Sequence, residues 1–372
     1  MRKLFAFLSV FLFCATAYAA GYRAALVADM DTGRVLYSEN ANVANYPASL
    51  TKIMTLYLTF DALEHGRLHL DDYLIVSNSA ANAEPVKLGL SAGSKISVED
   101  AIKAVAVHSA NDVARVLAEN LQGGKEGNFA DLMTRVAREI GLKNTNFENS
   151  SGLPNDDHLS TARDIALLSV AVYKHFPQYW KYFGIKTWTF GGKTYTNGNR
   201  LLGTYPGCDG MKTGFTNKSK YSLVATAKRG NTHLITVVLG ANDKDIRAST
   251  ATNMLNRGFN IVGENAPADV APVPVVESYP ITQNNPMAKY ATDKPQPVVQ
   301  SGGAGVQFGA FSSYDAAMRQ VQNVKNATGV NASVSQAPNG LYRVRVSGLS
   351  ESSAQSIKNS ASANGIDCYV FH

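Results

Sequence analysis

Three cysteines in 372 residues are too few for a disulfide framework. Cys14 lies in the N-terminal apolar run, which leaves Cys208 and Cys368 either to pair with each other or to stay free. Neither a zinc-ligand pattern such as H-E-x-x-H nor a phosphate-cradling glycine loop occurs, so no metal and no cofactor are expected. Beyond the first twenty residues no apolar run is long enough to cross a membrane. Charge is modest as well: the formal +6 falls to +4 without Arg2 and Lys3. A balance of that size suits ordinary solubility or an anionic cell-envelope surface, and it gives no reason to expect a nucleic-acid partner.

The first residues speak to compartment. Arg2 and Lys3 precede an apolar run over residues 4–15, and Ala17-Tyr18-Ala19 supplies the small residues of a cleavage site. Residues 1–19 therefore read as a cleaved secretory signal, with bulky Phe13 arguing against lipidation of Cys14, and a periplasmic or otherwise exported protein follows. Seven of the thirteen prolines fall between residues 265 and 300. That segment lacks helical or strand periodicity, so 265–302 reads as an extended linker. It separates a body, residues 20–264, from a tail, residues 303–372.

Periodicity sketches the body. "RAALVADMD" and "GRVLYSEN" flank Asp31-Thr32-Gly33, a hairpin turn signal. A helix from residue 49 to about 65 carries Ile53, Met54, Tyr57, Leu58 and Phe60, apolar on nearly every face, which predicts central burial. A mostly helical middle follows. Strands return as "KTWTF", "GMKTGFT", "YSLVATAKR" and "THLITVVLGA", and a helix over about 246–260 closes the body. Strands at both ends with helices between predict an α+β fold, one antiparallel sheet assembled from distant segments.

Three short patterns carry chemistry. In "YPASLTK", Ser49 and Lys52 are three apart, so on a helix the lysine reaches the serine hydroxyl. At a helix start the dipole favours an oxyanion beside Ser49, and a lysine buried near other cations gives up its proton and becomes a base. In "HSANDVA", Ser109 and Asn111 face different sides of any helix, so a turn must separate a helix capped by Ser97 from one capped by Asn111 or Asp112. His108 reads as a packing or surface residue. In "DGMKTGFT", Lys212, Thr213 and Gly214 fall on a strand where glycine lets another extended backbone come close and where lysine and hydroxyl suit a terminal carboxylate. Lys186-Thr187 and Lys193-Thr194 lack the following glycine and read as ordinary strand residues. S-x-x-K, then S-x-N, then K-T-G, in that order, is the signature shared by penicillin-binding proteins and class A β-lactamases.

Through these motifs, and through "ALVADMDTGRVLYSEN" and "GLKNTNFENSSGLPNDDHLSTARDIALLS", the body resembles the serine-type D-Ala-D-Ala carboxypeptidases, the low-molecular-mass penicillin-binding proteins. The resemblance implies a penicillin-binding-protein/β-lactamase-like fold, peptidoglycan stem pentapeptide as substrate and β-lactams as covalent inhibitors. It makes Ser49 the acylated nucleophile, Lys52 its general base and Ser109 a proton relay to the leaving D-alanine. Asn111 would hold the substrate amide, and Lys212, Thr213, Gly214 and Arg247 would receive the carboxylate region. The backbone amides of Ser49 and Phe215 would form the oxyanion hole. A DD-endopeptidase shares every one of these motifs. A class A β-lactamase fits less well, because "SSGLPNDDHLSTARD" offers Asp156, Asp157 and Asp164 but no glutamate. Many relatives continue into a β-rich domain and a membrane-anchoring helix, which the linker replaces here, so no stable membrane anchor is expected.

The tail resembles a SPOR domain, with "VQFGAFSSYDAAMRQVQNV" as strand and helix, "LYRVRVSGLSESSAQSIKNSA" as a second pair and "IDCYVF" as the closing strand. That implies a βαββαβ fold, binding to denuded glycan strands of septal peptidoglycan through residues such as Gln307, Phe311 and Arg343, and concentration at the division septum. The layout is shared with RNA-binding folds, but a secretory signal and a tail charge of only +2 argue against nucleic acid. A non-catalytic wall-binding protein is the alternative from a different functional class.

Overall fold

The structure, a computed structural model, describes residues 21–263, 304–336, 341–349 and 351–371. The expected signal and linker lie outside the described residues. The chain forms two compact units.

In the first, β1 (Ala24–Asp29) and β2 (Val35–Glu39) make the opening hairpin. Asp29 Oδ1 accepts from the N–H groups of Asp31 and Thr32 at 3.0 and 2.7 Å, and Gly33 completes the turn at φ 71. A 3-10 turn, Ala48–Thr51, leads into α1 (Lys52–Glu64), which is buried from Lys52 to Ala62. The expected continuous helix from residue 49 is thus split, and Ser49 stands on the tighter turn. β3 (Tyr73–Ile75), α2 (Asn78–Ala81) and β4 (Lys95–Ser97) follow. Then come α3 (Val98–Lys103), α4 (Asn111–Leu121), α5 (Glu126–Glu139) and α6 (Ala162–His175). Ser97 caps α3 as expected, its Oγ accepting from Asp100 N. The cap position of α4 falls instead on Ala110, with no side-chain cap, because Asn111 and Asp112 are committed elsewhere.

β5 (Thr187–Phe190) and β6 (Lys193–Thr196) pair as a separate hairpin. The last strands are β7 (Cys208–Thr216), β8 (Lys220–Arg229) and β9 (Thr232–Ala241), followed by α7 (Lys244–Val262). The main sheet runs β2-β1-β9-β8-β7, antiparallel throughout, with β7 at its edge. Val27, Leu223, Leu234 and Val238 pack with Met254 and Leu255 of α7. β9 is buried along all but its first residue, since helices α6 and α7 both pack on it. Residues from both ends of this unit therefore share one sheet, and the K-T-G strand lies at its edge.

The second unit runs β10 (Ala304–Phe311), α8 (Tyr314–Thr328), β11 (Ser333–Gln336), β12 (Tyr342–Leu349), α9 (Glu351–Ala363) and β13 (Tyr369–Phe371), a βαββαβ order. Its antiparallel sheet is ordered β11-β12-β10-β13. Val306, Phe308 and Val344 pack against Ala317 and Val324 of α8 and Ala354 and Ala361 of α9. Alternation then turns Gln307, Arg343 and Arg345 to the opposite face. Cys208 and Cys368 are both free thiols.

Candidate active site

Lys52 opens α1, and its ammonium group is fully buried. Three oxygens surround Nζ: Ser49 Oγ at 3.0 Å, Asn111 Oδ1 at 2.7 Å and the Ser151 carbonyl at 2.7 Å. None is a carboxylate. Burial, with the nearby Lys212 charge second, holds the lysine well below its ordinary pKa, while Glu126 and Asp112 pull weakly the other way. A neutral amine has two N–H donors and one lone pair. The amide and carbonyl oxygens only accept, so they take both N–H groups, and the lone pair is left for the Ser49 hydroxyl. Ser49 can donate. That arrangement converts a hydroxyl into a nucleophile.

The surroundings fix these positions from the backbone upward. Ala48, just before Ser49, has φ 49, and Ser109 has φ 67. Such left-handed backbone costs a non-glycine residue roughly 1–3 kcal/mol and persists only where packing over-determines it. Against Ala48 lies Gly152, at φ +82, where a Cβ would stand 1.8 Å from the Ala48 carbonyl oxygen. The loop before it is wound around Asn149 Oδ1, which accepts from Ser151 N at 3.2 Å, Gly152 N at 2.7 Å and Leu153 N at 3.1 Å. Thr55, one turn along α1 from Lys52, donates to the Ser150 carbonyl at 2.6 Å. Lys52 and Thr55 together stitch this loop to the helix.

Asn111 does more than the sequence suggests. Its Nδ2 donates to the carbonyls of Glu84 at 3.3 Å and Pro85 at 2.6 Å, and its N–H to Val86 O at 2.7 Å. Both side-chain donors are thus engaged by the 84–89 loop, which Asp112 grips too, accepting from Leu88 N at 3.1 Å and Gly89 N at 3.0 Å. Ser109 stands at the bend between α3 and α4 with a buried Oγ that has no hydrogen-bond partner. The turn the S-x-N spacing demanded is there.

On β7, Lys212 is 2% exposed, and burial followed by the Arg247 charge pushes it down to about 7. Its Nζ donates to the Thr213 carbonyl at 3.1 Å. Gly214 admits a close backbone, as expected, but that backbone is the protein's own: a Cβ there would lie 3.1 Å from Pro47 O and 3.3 Å from Ser49 N. The strand is pressed against the turn that carries Ser49. Phe215, next along, is 48% exposed and packs on Tyr221 at 4.4 Å. Arg247, on α7, is 7% exposed; its Nη2 reaches Gly198 O at 3.5 Å, its plane lies over Tyr221, and its Nε is buried without a partner. The structure thus joins Ser49, Lys52 and Asn111 by direct contact and couples Lys212 to them electrostatically.

Sequence reasoning missed the Ser151 carbonyl, the Asn149 turn and the Gly152 approach. Asn149-x-x-Gly152 is an Asx-turn signal that had a reading available. Buried His158 was also missed. Glu148 N donates to its Nδ1 at 3.3 Å, so Nε2 carries the proton and donates to Thr51 at 2.8 Å. Burial, then Lys52, depresses it to about 4, so it stays neutral.

In the second unit, Gln307 Oε1 accepts from Arg345 Nε at 2.6 Å, and the Arg345 guanidinium lies 4.7 Å from the Phe371 ring. Gln307 pairs with Tyr369 on one side and Arg345 on the other. Arg343 shares that face, whereas Phe311 packs against the helix-side core. The register shift between Gln307 and Ala310, with Gly309 at φ 125, reverses the alternation and turns Phe311 inward.

Comparisons with known proteins agree with this geometry. The family described as peptidase S11, D-alanyl-D-alanine carboxypeptidase, matches residues 14–243, and the SPOR domain family matches residues 300–371. D-alanyl-D-alanine carboxypeptidase DacF of Bacillus subtilis is 37% identical over 243 residues, 64% of this chain and 62% of its own length. The match therefore spans less than two thirds of that relative. Among solved structures, penicillin binding protein 5 from Haemophilus influenzae aligns at TM-score 0.62 with 34% identity, covering 64% of this chain and 71% of that one. Penicillin-Binding Protein D2 from Listeria monocytogenes, in its ampicillin-bound form, aligns at TM-score 0.59 with 32% identity, covering 64% and 98%.

Proposed function

The chain belongs to the D-alanyl-D-alanine carboxypeptidase family, and from that premise we propose that it removes the terminal D-alanine of peptidoglycan stem pentapeptides through an acyl-enzyme on Ser49. The observation that carries this reading is Lys52: buried, without a carboxylate partner, its one free lone pair directed at Ser49 Oγ. Lys52 takes the hydroxyl proton as Ser49 attacks the penultimate carbonyl. The backbone N–H groups of Ser49 and Phe215, on two segments that Gly214 allows to touch, receive the oxyanion. Ser109, its Oγ free of other partners, passes the proton to the leaving amine. Lys212, with Thr213 beside it and Arg247 behind it, meets the terminal carboxylate. Water then releases the acyl group by the reverse proton path. β-Lactams acylate the same serine and act as covalent inhibitors.

The tail supplies the second half of the proposal. Its SPOR match and its open sheet face, with Arg345 held between Gln307 and Phe371, support binding to denuded glycan strands and concentration of an exported enzyme at the division septum. The domain limits are those of the sequence reading: signal 1–19, catalytic unit 20–264, linker 265–302 and tail 303–372.

Incubating the purified chain with fluorescent penicillin, and separately with a pentapeptide ending in D-Ala-D-Ala, tests the catalytic half. Covalent label on Ser49 and release of free D-alanine are expected. A wild-type protein that takes no label would overturn the nucleophile assignment. Cleavage of a cross-linked peptide dimer, run as a third incubation, with no D-alanine released from the pentapeptide would replace carboxypeptidase by endopeptidase.

A further inference from the structure

Ser109 has a backbone that a non-glycine residue holds only under constraint from its neighbours, which raises the question of what constrains it. The residue before it answers. The His108 imidazole lies 4.4 Å from the Tyr195 ring, with their planes 50° apart. Tyr195 belongs to β6 and is 7% exposed. Behind it stand Trp188, at 5.6 Å and 29°, and then Phe190, at 5.2 Å from Trp188. An aromatic ladder on the β5–β6 hairpin thus backs the bend that carries Ser109.

The same hairpin runs directly into the opposite wall of the cleft. Asn197 closes it, its N–H donating to Lys186 O at 2.8 Å and its Nδ2 to Ile185 O at 3.0 Å. Gly198 then passes so near Thr213 that a Cβ would stand 2.7 Å from Oγ1, and the Arg247 guanidinium meets the Gly198 carbonyl. Asn199 Nδ2 donates to the Gly210 carbonyl of β7 at 2.6 Å. One short element therefore touches both the S-x-N bend and the K-T-G strand.

We propose that the β5–β6 hairpin is a positioning element of the cleft, setting Ser109 through the tilted Tyr195–His108 ring contact and Thr213 through residues 197–199. This rests on the DD-carboxypeptidase reading of the site. Neither aromatic residue is placed on the substrate; each acts through the residue it holds. A displaced Ser109 delivers its proton badly, so loss of this ring contact lowers turnover and leaves ground-state binding intact.

The test uses the full chain with Tyr195→Ala, Tyr195→Phe, His108→Ala and the Tyr195→Ala/His108→Ala double variant. Melting temperature, penicillin acylation rate, and kcat and KM for D-alanine release are measured for each. Each alanine variant should lose roughly tenfold in kcat with little change in KM, while Tyr195→Phe, which restores the ring, recovers most of it. The double variant should be no slower than the slower single one, because both remove the same contact. Wild-type kcat in a folded Tyr195→Ala, fully additive losses, or a rise in KM at constant kcat would each overturn the proposal. Should Tyr195→Ala fail to fold, half-buried His108→Ala decides by the same readouts. An unlabelled wild type defeats the reading of the site itself, whereas a labelled wild type with equally active variants defeats only the hairpin's role.

Discussion

Two basic residues, one in each unit, show what their surroundings ask of a charge. Lys52 is walled in by uncharged oxygens, so its proton is expensive to keep and its amine is available for chemistry. Arg345 lies half-buried on a sheet face, its Nε donating to Gln307 and its guanidinium over the Phe371 ring. The first unit dries its cations until their protonation becomes negotiable. The second keeps its cation half-buried on a sheet face, hydrogen-bonded and packed over a ring. Proton transfer needs the former, and adhesion to a polar polymer needs the latter.

The sharpest way to break the contrast is Lys52→Arg, which puts the second unit's kind of cation into the first. A guanidinium cannot act as a base, so acylation by penicillin should fall by about 10³-fold or more, read from labelling rates. Next in size is Lys212→Ala, which should cost about 10²-fold in kcat/KM for substrates ending in a free carboxylate. The wild type should show the same dependence on pH. Lys212 is a cation below about 7 and loses its proton as pH rises through that value, so KM should climb on the alkaline side. A substrate with an amidated terminus should show no such climb, and equal pH profiles would remove Lys212 from carboxylate recognition.

Smaller still is Arg345→Ala, expected to weaken retention on denuded glycan about tenfold while D-alanine release from soluble pentapeptide is unchanged. Deleting residues 301–372 should act the same way on both assays, and loss of peptide turnover would show that the two units are not separable. The smallest effect concerns stability. Unfolded, Lys212 titrates near 10.5, and folded near 7, so between those values the unfolded chain binds more protons and stability rises with pH. Lys212→Met should therefore raise the melting temperature at pH 6, by roughly 2–4 °C, while it lowers kcat/KM as Lys212→Ala does.

Much of the site was legible because its chemistry is local. Ser49 and Lys52 meet through helical spacing, and the S-x-N spacing required a bend that Ser109 supplies. Central burial of α1 followed from a sequence apolar on every face. What escaped was set by long-range packing. Nothing in "NSSGL" says that the Ser151 carbonyl will stand 2.7 Å from Lys52, ninety-nine residues away. Asn111 and Asp112 read as caps because capping is their commonest local use, and the 84–89 loop competed for them and won. The SPOR resemblance names Phe311 with Gln307 and Arg343, and the shift near Gly309 turns it to the helix-side core instead. Lys193-Thr194 resembled an incomplete K-T-G, and its strand proved to matter for Tyr195, the residue after the pair.

Gly152 bears on how a population of cells carrying this protein can answer a β-lactam. At that position a methyl group would stand 1.8 Å from the Ala48 carbonyl oxygen, on a backbone already at φ +82. Every codon change that alters the residue installs a Cβ, and every Cβ displaces the turn that presents Ser49. On the function proposed above, escape from a β-lactam by reshaping this wall of the cleft is therefore closed one mutation at a time: the variant that shuts out the inhibitor also displaces Ser49. Selection is pushed toward places that contain no such contact, on the rim rather than at the floor.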